Sequence, residues 1–154
     1  MKYIGIDYGS KKCGLAVSDD RGQVAVPLKI VPTEMLEAEV DYILQNSLFE
    51  RIVFGESVNS KGQHNAVWEQ TKQFAEKLKS KYEAKIINNE LDIKFEKEFL
   101  TSKHARYLDN EKDVDDRAAA LILQRFLDKV NQLERSEKDK KYEQEFGVFD
   151  NEDY

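Results

Sequence analysis

The chain has 154 residues and a formal net charge of −6, with 40% hydrophobic and 35% charged residues. This length predicts one domain with one core, and the composition excludes collagen-like and low-complexity chains. No apolar run approaches the roughly 20 residues of a membrane helix, and no export signal is seen, so we expect a cytoplasmic protein with no membrane partner. One cysteine and two histidines exclude an internal disulfide and a Cys/His zinc site.

The negative charge is divided equally between the tail and the body of the chain. Residues 129–154 contribute −3 and the rest contributes the other −3, so the body is close to neutral. A nucleic-acid partner would therefore be held by a local basic patch or through bound metal, and not by bulk attraction.

The first 32 residues predict three strands joined by short turns. Apolar residues lead into Asp7, a second apolar run follows Gly14, and a third strand is expected over 23–30, which together form a meander. Asp7 comes where the first strand ends. If that strand is central, Asp7 is held rigidly where a metal or a phosphate can reach it. Alternatively, Asp7 only bonds the turn backbone.

Helical and alternating apolar patterns then predict the remaining elements, which are a helix at 34–47, a strand at 51–55, a helix at 66–81, a strand at 85–87 in a hairpin, a core strand at 92–97, a short helix at 101–108 and a final helix at 113–133. The apolar interior of the last helix predicts that it packs against the sheet. We divide the chain into a domain of residues 1–133 and a charged tail of residues 134–154 that is either disordered or loosely docked.

Three carboxylates stand out by position. Asp7 and Glu98 come where predicted strands end, and Asp115 opens the final helix on the face that also carries Ala119 and Ile122. A lone carboxylate on a packing face is costly to bury unless something positive meets it, and Mg²⁺ or Mn²⁺ held by all three would do so. The alternatives are that Asp115 complements the helix dipole and that Glu98 is solvated.

Polar loops supply candidates for binding nucleic acid. Lys11 and Lys12 follow Asp7 directly, and Asn59 and Lys61 lie in the loop after the fourth strand. Ordinary surface lysines would give the same pattern. His64 and His104 are candidates for proton transfer, but we interpret both as surface residues.

Four short motifs, in order, resemble those of the YqgF/RuvX family, RNase H-like proteins described as candidate pre-rRNA nucleases or Holliday junction resolvase homologues. Residues 5–18 are similar to the family's opening motif, with Ser10 in place of Thr and Lys12 in place of Arg. Residues 53–62 are similar to the second motif, with matches at Gly55, Asn59 and Gly62 and departures at Glu56 and Ser57.

The third and fourth motifs bring in the other carboxylates. Residues 97–102 resemble the third, but Lys97 and Phe99 stand where the family has the Asp and Arg that flank Glu98. This loss of a charge pair implies a different orientation of Glu98 or a reduced activity. Residues 115–124 match the fourth motif in full.

The resemblance runs from Tyr3 to about Asp128 and implies an RNase H-like α/β fold. That fold is a five-stranded mixed sheet whose first three strands form an antiparallel meander, with helices on both faces. The resemblance also implies that Asp7, Glu98 and Asp115 are catalytic and hold the Mg²⁺ or Mn²⁺ of a two-metal site.

Two functional hypotheses follow from the residues and the resemblance together. The first is a metal-dependent nuclease that hydrolyses precursor rRNA or branched DNA, with ribosomal or other processing factors as further partners. The second is a catalytically weak or inactive nucleic-acid-binding or ribosome-assembly module on the same fold.

A third hypothesis, an ATPase, arises because residues 5–10 also look like the first phosphate loop of the actin, Hsp70 and sugar-kinase proteins. Those proteins enclose the nucleotide between two such domains, and this chain has the length of only one.

Overall fold

A computed structural model describes residues 2–99 and 116–147. In these ranges one mixed sheet contains five strands, which are β1 (Tyr3–Asp7), β2 (Lys12–Ser18), β3 (Ala25–Pro32), β4 (Arg51–Val58) and β5 (Asp92–Phe99). Their order across the sheet is β3-β2-β1-β4-β5. Strands β1, β2 and β3 pair antiparallel, whereas β4 runs parallel to both β1 and β5. The predicted fold class is confirmed.

Helices cover both faces of the sheet. The described helices are α1 (Leu36–Asn46), α2 (Trp68–Lys81), α3 (Glu83–Ile87) and α4 (Asp116–Phe146), and a single 3₁₀ turn precedes α1. Acidic residues in the first turns of α1 and α2, and lysines in the last turn of α2, complement the helix dipoles. No helix in the described ranges is long and apolar enough to cross a bilayer.

The two faces of the sheet differ in what they bury. Helices α1 and α2 cover what we call the aromatic face, whose core includes Phe54 with Phe74 and Phe95 packed around it. Helix α4 covers the other face, where its buried residues meet the second core cluster, made of Tyr3, Ala16, Val53, Ala119, Ile122, Leu123 and Leu127. We call this second side the carboxylate face, because Glu96 and Glu98 of β5 lie on it.

Helix α4 runs back along β1. Gly5 faces Ala119 and Leu123, and the ring of Tyr3 lies 6.1 Å from that of Phe126. The first turn of α4 is therefore at the end of the sheet where β1 finishes. Since β4 and β5 are parallel to β1, the ends of these strands and the loop that follows β4 lie at the same edge.

The predicted strand at 85–87 is wrong, because these residues belong to α3. The pair Ile86-Ile87 has the β-branched character of a strand, but local hydrogen bonds decide the conformation. The Lys85 carbonyl accepts the amides of Glu90 and Leu91, and Asn89 adopts a φ of 58°, which closes the turn. Only the partly buried Ile86 reaches the core, and Ile87 is 70% exposed.

Helix α4 also continues beyond the predicted end near Leu133, as far as Phe146. The apolar periodicity stops there, but Glu, Lys, Gln and Arg are good helix formers, and Lys141 and Glu145 form an i,i+4 ion pair. Gly147, with a φ of 75°, ends the helix. Residues 134–146, which we expected to be disordered or loosely docked, are therefore helical and exposed. The short helix predicted at 101–108 lies outside the described residues.

Candidate active site

Asp7 and Glu98 lie at one end of the sheet, on strands that flank β4. Ile6 pairs with Phe54, so Asp7 comes beside Gly55, and Glu98 pairs with Ser57. Side chains alternate along a strand, so Asp7 shares the carboxylate face with Gly5, two residues earlier. Glu98 lies on that face as well. The two predicted carboxylates are therefore brought to the same face and the same end of the sheet.

Gly55 keeps the space between these carboxylates open. A Cβ atom at this position would lie 2.6 Å from Ile122 Cδ1 of α4 and 3.8 Å from Glu98 Oε2. An added Cβ would displace the end of the Ile122 side chain and make ordinary van der Waals contact with the Glu98 carboxylate. The glycine of the second motif thus lets α4 lie close to β4 beside Glu98.

The electrostatics of the pair are unfavourable in the absence of a cation. Burial raises the pKa of Asp7, and the neighbouring charge of Glu98 raises it further, to about 7. Glu98 is only 9% exposed. Two carboxylates that disfavour each other's charge are an oxygen donor set suited to a hard divalent cation such as Mg²⁺ or Mn²⁺. The residues present therefore fit such an ion.

The third predicted carboxylate, Asp115, lies outside the described residues, as does His104. Asp115 directly precedes the start of α4, whose first turns pack beside Gly5. Within residues 2–99 and 116–147 no three His, Cys, Asp or Glu side chains form a group able to hold a metal. The described part of the site is thus a pair of carboxylates.

The turn that carries Lys11 and Lys12 is tightly held. Thr33 donates its hydroxyl to the Gly9 carbonyl at 2.7 Å, and its amide donates to the Lys11 carbonyl at 2.9 Å. A Cβ on Gly9 would lie 2.2 Å from the Lys12 carbonyl oxygen, so glycine is required there. Both lysines are exposed and lie at the Asp7 end of the sheet.

The loop after β4 uses Asn59 to shape its backbone. The Asn59 side-chain oxygen accepts the amides of Lys61 and Gln63, each at 2.9 Å, and Gly62 takes the positive φ of 76° that the turn needs. Lys61 is exposed at the tip of this loop. Asn59 therefore holds the loop that presents Lys61.

Sequence reasoning missed two contacts near this end of the sheet. On the carboxylate face, Glu96 is 4% exposed and pairs with Lys129 of α4. On the aromatic face, Glu56 Oε1 accepts a hydrogen bond from His64 Nε2 at 2.7 Å. The second contact had a signal in the sequence, because Glu56 stands where the family motif has an apolar residue.

Comparison with known proteins agrees with the fold and the motifs. Residues 1–129 match the model of the family described as RuvX: Holliday junction resolvase. A protein of Sulfurihydrogenibium sp. (strain YO3AOP1), named "Putative pre-16S rRNA nuclease", is 30% identical over 138 residues, which cover 84% of this chain and 92% of that protein.

Two further relatives carry the same name. The protein of Nitratidesulfovibrio vulgaris is 33% identical over 141 residues, covering 82% of this chain and 93% of the relative. That of Bacillus subtilis is 27% identical over 140 residues, covering 85% of this chain and 100% of the relative. Because the RuvX family model matches residues 1–129, which is most of the chain, this protein belongs to the RuvX family of RNase H-like proteins.

Proposed function

We propose that this protein is a metal-dependent nuclease that hydrolyses phosphodiester bonds in precursor rRNA or in branched DNA. The observation that carries the proposal is the pair formed by Asp7 and Glu98, whose coupled charges lie on one face and at one end of the sheet. The family and the names of the relatives support a nuclease. The first proposed substrate, precursor rRNA, is suggested by the names of the relatives. The second, branched DNA, is suggested by the description of the family.

The proposed roles follow from position. Asp7, Glu98 and Asp115 would hold Mg²⁺ or Mn²⁺, and β1 and β5 would keep the first two carboxylates rigid. When bound, such ions supply an activated water and stabilise the leaving oxygen of a phosphodiester. Lys11 and Lys61, in loops, and Lys12, the first residue of β2, lie at the same end of the sheet and would bind flanking phosphates, with Asn59 positioning Lys61.

The test is a titration of Mg²⁺ and Mn²⁺ against labelled precursor-rRNA ends and a four-way DNA junction. We expect metal-dependent cleavage of one substrate, with a loss of at least about a hundredfold in the Asp7→Asn and Glu98→Gln variants. Asp139→Asn and Glu137→Gln make the same chemical changes on the exposed part of α4 and should cleave like the parent protein.

Metal binding has a readout that does not depend on cleavage. A cation that binds the folded state raises the unfolding temperature, and the rise should be smaller in Asp7→Asn. Equal shifts in the parent protein and in Asp7→Asn would show that the metal binds elsewhere, and would contradict the proposed site.

A second candidate function is a nucleic-acid-binding or ribosome-assembly module without catalysis. It is favoured by Lys97 and Phe99, which replace the charged residues expected on either side of Glu98. This candidate predicts binding without turnover at every metal concentration. Restoring the family residues in a Lys97→Asp/Phe99→Arg variant would then be expected to produce cleavage.

A further inference from the structure

A second concave site lies at the same end of the sheet, but on the aromatic face. It is a groove of about 530 Å³ between the N-terminal half of α2 and strands β4 and β5. Its lining residues are Glu56, Trp68, Glu69, Lys72, Gln73, Glu76 and Phe95. A volume of this order accommodates a small planar ligand, and none of these residues belongs to the Asp7 site.

Trp68, the only tryptophan in the chain, is the platform of this groove. Phe95 supports the indole edge-on, with ring centroids 5.4 Å apart, and Lys72 Nζ lies 5.8 Å from its centroid. His64 stacks on the indole at 4.5 Å with an angle of 7° between the planes. The platform therefore already holds one planar heteroaromatic ring in a stacked geometry.

His64 is held by strand β4, through one lining residue and one backbone bridge. Its Nε2 contacts Glu56, and its backbone forms an isolated β-bridge with Val58. His64 is absent from the groove lining, whereas Lys72 and Phe95 belong to it. Trp68 is itself a lining residue, so part of its indole is open to the groove beside the ring of His64.

The rim determines which ring would bind. Three of the lining side chains are carboxylates, Glu56, Glu69 and Glu76, and they outnumber the one lysine of the lining, Lys72. Each carboxylate also has a partner, which is His64 for Glu56, Lys72 for Glu69 and Lys79 for Glu76, at 2.7, 2.9 and 3.2 Å. The excess of carboxylates in the lining repels a phosphate group. Carboxylates accept hydrogen bonds and donate none, so they favour a ring that carries amino groups.

We propose that this groove binds an unpaired base with an exocyclic amino group, stacked on Trp68 and donating to a carboxylate of the rim. Adenine, cytosine and guanine have this amino group, whereas uracil and thymine lack it. Aromatic side chains that stack single bases are a common means of binding single-stranded nucleic acid. The proposal rests on the proposed nuclease function for the identity of the strand that supplies the base.

The groove and the carboxylate pair are linked through β4. Gly55 faces α4 beside Glu98, and the next residue, Glu56, faces the groove. A strand that crosses this end of the sheet would place a phosphate at the carboxylates and a flanking base over Trp68. The groove would then select the base beside the cleaved bond.

Trp68 itself reports the binding. The full chain, in EDTA to prevent cleavage, is titrated with short oligoadenylate, oligocytidylate and oligouridylate while tryptophan fluorescence is recorded. We expect quenching by stacking, with about tenfold weaker binding of oligouridylate, the difference made by one hydrogen bond to a charged group. Equal affinities for the three oligonucleotides would show that the rim does not select the base. A fluorescently labelled oligonucleotide that binds without quenching the tryptophan fluorescence would show that no base stacks on Trp68.

A matched pair of variants tests the carboxylates. Glu69→Gln/Glu76→Gln neutralises the exposed part of the rim, and Glu83→Gln/Glu90→Gln makes the same change at exposed positions outside the groove. The first should reduce the preference for oligoadenylate over oligouridylate at least about threefold, because a charged acceptor bonds more strongly than an amide. The second should leave it unchanged. An equal reduction in both variants would contradict the proposal.

The proposed nuclease function and the base site fail in different ways. Asp7→Asn removes a proposed catalytic carboxylate on the other face, so it should keep the quenching and the base preference while it loses cleavage. Quenching with no cleavage in the parent protein would refute the nuclease and leave the base site standing. Cleavage with no quenching would refute the base site alone.

Discussion

The two faces of the sheet are built on opposite principles. On the aromatic face, large side chains such as Phe54 fill the space under α1 and α2. On the carboxylate face, Gly5 and Gly55 allow α4 to lie so close that added atoms would collide with it. The aromatic face is stabilised by the burial of large apolar side chains. The second face brings α4 close to the sheet and accommodates Asp7 beside Glu98, where burial and the charge of Glu98 disfavour the ionised form of Asp7.

The first prediction breaks the aromatic face by removing volume. Phe54 is fully buried, and its ring lies 6.0 Å from Phe74 and 5.8 Å from Phe95. Phe54→Ala should lower the free energy of unfolding by about 3–5 kcal/mol, because the cavity forms among rings that cannot collapse into it. Urea denaturation measures this loss. Phe146→Ala, at a position 62% exposed, is the matched control and should change little.

The second prediction breaks the carboxylate face by adding volume. A Cβ at Gly5 would lie 2.8 Å from Leu123 Cβ and 2.9 Å from the Ala119 carbonyl oxygen, so α4 itself would have to move. Gly5→Ala should cost about 1–3 kcal/mol in the same urea experiment. At Gly62 a Cβ would meet nothing within 4 Å, so Gly62→Ala should cost only the roughly 1 kcal/mol of its positive φ. An equal or larger loss at Gly62 would contradict the close packing of α4.

Local sequence patterns predict much of this difference between the two faces. Alternation and helical spacing place the strands and the main helices, and the position of Asp7 at the end of β1 places it at the site. The prediction for residues 85–87 failed because Lys85 closes a turn with Glu90 and Leu91, a set of backbone bonds that composition does not reveal.

Contacts between distant residues are the part that patterns do not predict. The pairing of Glu96 with Lys129 joins residues 33 positions apart and depends on how α4 crosses β5. The contact between Glu56 and His64 depends on the loop that Asn59 folds back toward β4. Both follow from tertiary geometry, and neither has a periodic signature along the chain.

The third prediction measures the cost of the carboxylate pair. The pKa of Asp7 is about 7 in the folded protein, against an ordinary value of 3.8. Between these pH values the folded state binds a proton that the unfolded state lacks, so stability falls as the pH rises through this window. The slope approaches about 1.4 kcal/mol per pH unit at most, and partial solvation of Asp7 reduces it.

Asp7→Asn removes this titration. In EDTA, the variant should be more stable than the parent protein at pH 8 by on the order of 1 kcal/mol, and the advantage should shrink toward pH 4. Asp139→Asn, on the exposed part of α4, should show no such pH dependence. If Asp7→Asn is destabilised equally at pH 5 and pH 8, Asp7 does not oppose folding, and the contrast between the faces loses its electrostatic part.

The smallest expected effect comes from the part of α4 that covers neither face. Leu127 is fully buried against the carboxylate face, whereas Leu133 is 64% exposed and residues 134–146 are exposed throughout. Truncation after Arg135 removes helix that buries almost no apolar surface, so the free energy of unfolding should change by less than about 0.5 kcal/mol. Leu127→Ala should cost about 2–5 kcal/mol. A truncation that costs as much as Leu127→Ala would mean that the end of the helix packs against the domain, because a solvated helix has no apolar contacts to lose.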